Sequence, residues 1–151
     1  YYGLSLALDT PFTSTYGIGH MPFLLGKASH VLGPEFEERA YTHKVTKEGW
    51  NSQEQWVTIF PWIANDVGFM GTAVVVLLFG LFWGITWRSA ALGGNIIAFM
   101  LFIMQMQGIA FIPANNQLAI SPDSYFTFIF WTLVFIVIRV RQHRRARTST
   151  L

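Results

Sequence analysis

The chain has 151 residues, of which 52% are hydrophobic, 17% aromatic and only 12% charged, about half the charge of an ordinary soluble domain. It has no cysteine, which excludes disulfides and thiolate metal sites. Its net charge of +2 conceals two blocks: residues 1–66 carry four basic and seven acidic side chains, whereas from Val67 onward six arginines accompany one acid, Asp123. A basic tail behind an apolar run reads as a membrane topology signal and not as a nucleic-acid surface.

Residues 1–66 are rich in aromatic and aliphatic side chains, but Gly, Pro, Ser and Thr cut them into pieces too short to cross a bilayer. The opening Tyr1-Tyr2-Gly3 carries no signal-peptide pattern and reads as the interior of a longer protein. Residues 35–47 read as an exposed helix of mixed charge. Trp50, Trp56 and Trp62 then lead toward the first apolar run, where aromatic rings favour a membrane interface.

Three spans follow. Residues 67–87 hold 21 positions without a charge, enough for a hydrocarbon core of ~30 Å. Asn65 and Asp66 stand before them as N-cap residues. Residues 90–112 form the second span, separated from the first by only Arg88 and Ser89 and ending at Pro113. Its amides Asn95, Gln105 and Gln107 are tolerable at that depth if they face another helix. Gly80 and Gly84 make a GxxxG spacing in the first span, read as close helix packing. The third span, residues 124–140, opens with Ser121-Pro122-Asp123, a Ser cap followed by Pro and an acid at the positive dipole end. Its far end counts on Arg139 snorkelling.

The arginines set the orientation. Arg88 lies between the first two spans, and Arg139, Arg141, Arg144, Arg145 and Arg147 follow the third. An odd number of crossings puts both groups on one side, the cytoplasmic one by the positive-inside rule. Residues 1–66 and 113–123 then lie outside. The fold expected is an all-α integral membrane protein: an external segment over residues 1–66, three helices within residues 67–140, and a basic cytoplasmic tail over residues 141–151.

Candidate chemistry concentrates in the external segment. A His beside a carboxylate can act as a general base, and an Arg can neutralise a departing anion. His20, His30, His43 and Arg39 are such residues, as is Lys27, although most loop charges are simply solvated. No HExxH, phosphate-binding loop or nucleophile motif occurs, so neither a metal nor a cofactor is expected.

The run from Trp56 to Gly71, WVTIFPWIANDVGFMG, leads straight into the first span. It resembles the C-terminal part of the oligosaccharide repeat-unit polymerases (O-antigen polymerases of the Wzy type). Thr58, Asp66, Gly68 and Gly71 match a Thr followed about eight residues later by Asp-Phe-Gly-x-x-Gly, with Val67 in place of the Phe. Tyr2 to Asp9, YGLSLALD, is similar to a second segment of that family. The resemblance implies the last third of a polytopic protein of the bacterial inner membrane. Such a protein builds lipopolysaccharide or capsule by moving a glycan from undecaprenyl diphosphate onto the next lipid-linked repeat unit. It further implies Arg39 as the cation for the diphosphate and His20, His30 or His43 as the base. Asp66 would cap the helix and order the site, and Asp9, Thr58 and Lys27 would bind substrate. Implied partners are the lipid-linked glycan, the other helices of the same chain, a chain-length regulator and a flippase. Two alternatives stand beside this reading: an O-antigen ligase, and a non-enzymatic transporter or assembly subunit.

Overall fold

The computed structural model describes residues 2–51 and 58–148, with the side chains at 143 and 145–148 outside that description. The expectations for Trp56, Arg145 and Arg147 therefore fall outside the described side chains. Among the described residues all regular structure is helical: α1 (Tyr2–Leu8), α2 (Pro22–Leu32), a 3-10 turn (Pro34–Arg39), α3 (Tyr41–Lys47), α4 (Ile59–Gly93), α5 (Ile96–Ala110) and α6 (Pro122–Thr148).

The first half packs as a small helical layer. Ala7, Tyr41, Val45 and Ala64 form one buried cluster, with Leu6, Trp50 and Phe69 against it. Leu25, Phe36 and Ala40 form a second. The mixed-charge stretch 35–47 is thus not one exposed helix. The chain breaks at Ala40, whose extended backbone caps α3, and α3 turns Tyr41, Thr42 and Val45 inward. Trp50 likewise packs within this layer, edge-on to Tyr2 at 5.5 Å. Tyr41 reaches Phe69 of α4, with ring centroids 5.2 Å apart, and so fixes the layer to the head of the long helix.

Helix α4 is two helices joined at Gly68, whose φ of 69° and ψ of 173° are not helical. Such a backbone is open to Gly and strained for any other residue. The preceding turns, from Ile59 to Val67, form a separate shoulder. The expectation that Asn65 and Asp66 cap the first span is therefore corrected, because both lie inside this shoulder and neither caps α4. The part beyond Gly68, residues 69–93, extends for about 37 Å at ~1.5 Å per residue. It runs through Arg88 and Ser89, which are helical and not a connector. The turn is Gly94-Asn95, with Gly94 left-handed at φ 58°. Asn95 then caps α5, its Oδ1 accepting from the Ile97 and Ala98 amides at 3.0 and 3.1 Å.

Helix α5 is shorter than the sequence pattern implied, 15 residues instead of a full span. Ser121 caps α6 as expected, accepting from the Ser124 amide at 3.3 Å. Helix α6 does not end at the apolar boundary but carries on through the arginines to Thr148. The three long helices share Ala98, Leu101 and Phe135, with Phe82, Phe128 and Trp131 around them. Gln105 is fully buried here and faces Thr86 of α4, another helix, as an amide at that depth requires. With its amide oriented to satisfy both ends, Nε2 donates to Thr86 Oγ1 at 2.8 Å and to the Leu101 carbonyl at 3.2 Å. Gly80 and Gly84 face open space, so their spacing serves no packing among the described residues.

Two helices, α4 and the Pro122–Gln142 part of α6, are long and apolar enough to cross a membrane. Only 11% and 6% of their most apolar windows are buried. The core helix of a soluble protein would be mostly covered; these leave residues such as Leu77, Leu78, Leu81, Phe130 and Leu133 more than half exposed.

Candidate functional site

Asp66 ends the shoulder of α4, two residues before the Gly68 break, and a loop from the first half of the chain closes around it. Residues 15–18 make a tight turn with Tyr16 at φ 55° and Gly17 at φ 87°, closed by the Ile18 amide donating to the Thr15 carbonyl at 3.3 Å. Two positive φ values in succession aim neighbouring amides at one point. That point is the Asp66 carboxylate. Its Oδ1 accepts from the amides of Gly17 at 2.9 Å and Gly19 at 2.8 Å and from the Thr15 hydroxyl. Its Oδ2 accepts from the His20 amide at 3.0 Å and from His20 Nδ1 at 2.7 Å. Asp66 side-chain exposure is 7%. Burial alone would raise this carboxyl, but the hydrogen bonds from His20, Thr15 and the Gly19 and His20 amides outweigh it. They bring the group from 3.8 to about 2.

The neighbouring Asn65 holds the same loop from behind. It is fully buried; its Nδ2 donates to the Gly19 carbonyl at 2.9 Å, and its Oδ1 accepts from the Tyr41 amide, the first of α3, at 2.7 Å. Gly19 passes so close that a Cβ there would collide with Thr15 Oγ1 and stand 2.6 Å from Asn65 Cβ. Gly19→Ala is therefore expected to push the loop off Asp66 and cost about 3 kcal/mol. For a chain of this length that is a melting point roughly 10 °C lower, measurable by thermal unfolding of the purified protein in detergent.

With Asp66 ionised, the proton of the shared hydrogen bond belongs to His20 Nδ1, and in the neutral ring Nε2 is then the acceptor. Nε2 lies 3.3 Å from the Tyr125 hydroxyl in the first turns of α6, and the two rings stand 5.6 Å apart. The connector between α5 and α6 secures the histidine from a third side, where Asn116 Nδ2 donates to the His20 carbonyl at 3.0 Å. His20, Asn116 and Tyr125 border a cavity of about 260 Å³ whose remaining walls are apolar, among them Ile63, Val76 and Phe128. A histidine held by a buried carboxylate, with its other nitrogen beside a tyrosine hydroxyl on the wall of an apolar cavity, has the arrangement that general-base chemistry on a hydroxyl requires.

The other residues singled out in the sequence distribute unevenly. Arg39 closes the 3-10 turn beside the loop. Its Nη1 donates to the Tyr16 hydroxyl at 3.4 Å, its guanidinium lies 5.6 Å from the Tyr16 and Phe36 ring centres, and no carboxylate pairs with it among the described residues. Lys27 and His30 point outward from α2. His43 borders a separate depression with Glu37 and Trp62. Asp9 is exposed just after α1. Thr58 is buried at the N-cap of α4, where its hydroxyl has no partner among the described residues.

The sequence reading missed Thr15, Asn116 and Tyr125. Tyr125 is hidden as the first residue of an apolar run, but the alternating glycines of Tyr-Gly-Ile-Gly-His were a visible sign of backbone folded tightly before a histidine. Among the described residues, no group of three His, Asp or Glu side chains could hold a metal ion. No protein-family model, curated protein sequence or solved structure matches this chain.

Proposed function

We propose that this chain is part of a bacterial oligosaccharide repeat-unit polymerase of the O-antigen type. In this reading α4, α5 and α6 cross the inner membrane, residues 1–66 rest on its outer face, and the arginines of α6 face the cytoplasm. The observation that carries the reaction is the His20–Asp66 pair, with His20 on the wall of the apolar cavity. The bundle supports the topology: the loop over residues 15–20, the α4 shoulder and the α5–α6 connector meet at one end, while Arg88 and Arg139 share the other.

The chemistry is a glycosyl transfer. The acceptor hydroxyl of one lipid-linked repeat unit gives its proton to His20 Nε2. Its oxygen then bonds to the anomeric carbon of the donor glycan, and the bond from that carbon to the undecaprenyl diphosphate oxygen breaks. The diphosphate leaves with the bonding pair. Arg39, anchored on Tyr16 four residues before His20, is the cation for the charge that develops there. Asp66 stabilises the imidazolium that forms. The donor bond is already activated, so the transfer draws on no nucleotide.

The test is complementation of a polymerase-deficient strain that makes the matching repeat unit, using the gene encoding this chain. Wild type is expected to restore a ladder of surface glycan, and Arg39→Ala to give single-repeat product at equal expression. A full ladder from Arg39→Ala removes that residue from the mechanism. Single-repeat product from well-expressed wild type sinks the polymerase reading.

A further inference from the structure

We propose that the open groove at the arginine-bearing end of the helix bundle binds the phosphate headgroup of an anionic phospholipid. The inference goes beyond the transfer reaction and rests on that reading only for α4–α6 crossing a bilayer. The groove has a volume of about 620 Å³. Arg88 comes to it from the last turns of α4 and Arg139 from α6, with Ser89, Asn95 and Gln142 between them. No acid lines it. From Val67 to the end of the chain the only carboxylate side chain is Asp123. That residue opens α6, sixteen residues before Arg139 and about 24 Å away along a helix of ~1.5 Å per residue. Among the described residues neither guanidinium group pairs with a carboxylate.

Two further features favour a lipid phosphate over a free one. Asn95 caps α5 at the groove's edge, so the positive end of that helix dipole adds to the arginines' field. The remaining walls are apolar, Ile85, Leu92 and Phe135, and Leu92 is 80% exposed. They continue into the uncovered apolar flank of α4, where an acyl chain would lie. Arg139 is itself steadied over Phe135, its guanidinium carbon 5.9 Å from the ring centre. A small soluble anion would use the arginines and leave these walls wet; a phospholipid uses both. Basic pockets of this kind at the cytoplasmic edge of membrane helices suit anionic headgroups.

The full-length protein, purified in neutral detergent and stripped of lipid, is to be titrated with phosphatidylglycerol and read by native mass spectrometry. Wild type is expected to retain one phosphatidylglycerol and no phosphatidylcholine. Arg88→Gln with Arg139→Gln should weaken retention at least tenfold, and each single change severalfold. Arg88→Lys with Arg139→Lys should keep most of it, and Arg141→Gln, an exposed arginine that does not line the groove, should leave it unchanged. Size-exclusion chromatography shows which variants are folded; if the double Gln variant aggregates, the single variants decide. Equal retention by the folded Gln variants overturns the proposal. So does equal retention of phosphatidylcholine, or displacement of the lipid by millimolar inorganic phosphate.

Discussion

Asp66→Asn is expected to be the most damaging single exchange for the fold of this end of the molecule, although the two side chains have nearly the same shape. The carboxylate accepts from five donors, two on one oxygen and three on the other. An amide can accept at only one of those positions; its NH₂ would meet donors at the other. At least two nearly buried donors then lose their partner, at about 1–3 kcal/mol each. The expected result is a melting point lower by roughly 10 °C or more, with the loop over residues 15–20 becoming protease-sensitive.

The same group gives a pH signature. Asp66 is held at about 2, below its ordinary 3.8, so its contribution is fully present above pH 4. It is lost as the pH falls through 2, and is worth about 2 kcal/mol at ~1.4 kcal/mol per unit. Wild type should thus lose more stability than Asp66→Asn between pH 4.5 and pH 2. Parallel acid profiles for the two proteins would show that the carboxylate is not what holds the loop.

For the proposed glycosyl transfer the largest effect belongs to His20→Asn. The Asn side chain can place an N–H near the position of His20 Nδ1 and so keep a donor to Asp66, while the basic Nε2 is gone. Stability is expected to stay within about 1 kcal/mol of wild type, and polymer formation to fall by about 10²–10⁴-fold, the usual weight of a general base. The comparison is a glycan ladder, or transfer between lipid-linked repeat units in detergent, at matched protein levels. An Asn variant that polymerises at the wild-type rate would reduce the His20–Asp66 pair to a structural brace. His43→Ala and His30→Ala, away from the cavity, should leave the rate unchanged.

The long apolar helices were legible because composition alone marks them, and the start of α6 because a local rule governs it: Ser121, Pro122 and Asp123 act within one turn. The site was only half legible. His20 and Asp66 could be singled out as chemical types, but nothing local says that they meet, since 46 residues separate them. Asp66 looked like a helix cap because Asn-Asp before an apolar run usually is one; tertiary donors from the 15–20 loop took the carboxylate instead. For Gln105 the need for a facing helix was legible, but the partner was not. Hydropathy counts an amide as polar, whereas its burial depends on Thr86, a residue of another helix. Gly68, the residue on which the shoulder turns away from the rest of α4, stands in an apolar run that also holds Gly71, Gly80 and Gly84, all of them helical, and helical periodicity passes over it.

The pocket around His20 draws on both ends of the sequence, and this has a consequence for how the protein is made. Residues 15–20 and Asp66 leave the ribosome well before Asn116 and Tyr125, the two side chains that hold the histidine from the α5–α6 side. Throughout synthesis of α4 and α5 the imidazole has its carboxylate but neither its upper wall nor its phenol. Asn116 arrives with the α5–α6 connector and the phenol of Tyr125 with α6. Without α6 the His20–Asp66 pair lacks Tyr125, Phe128 and Ile129, and with them one side of its cavity.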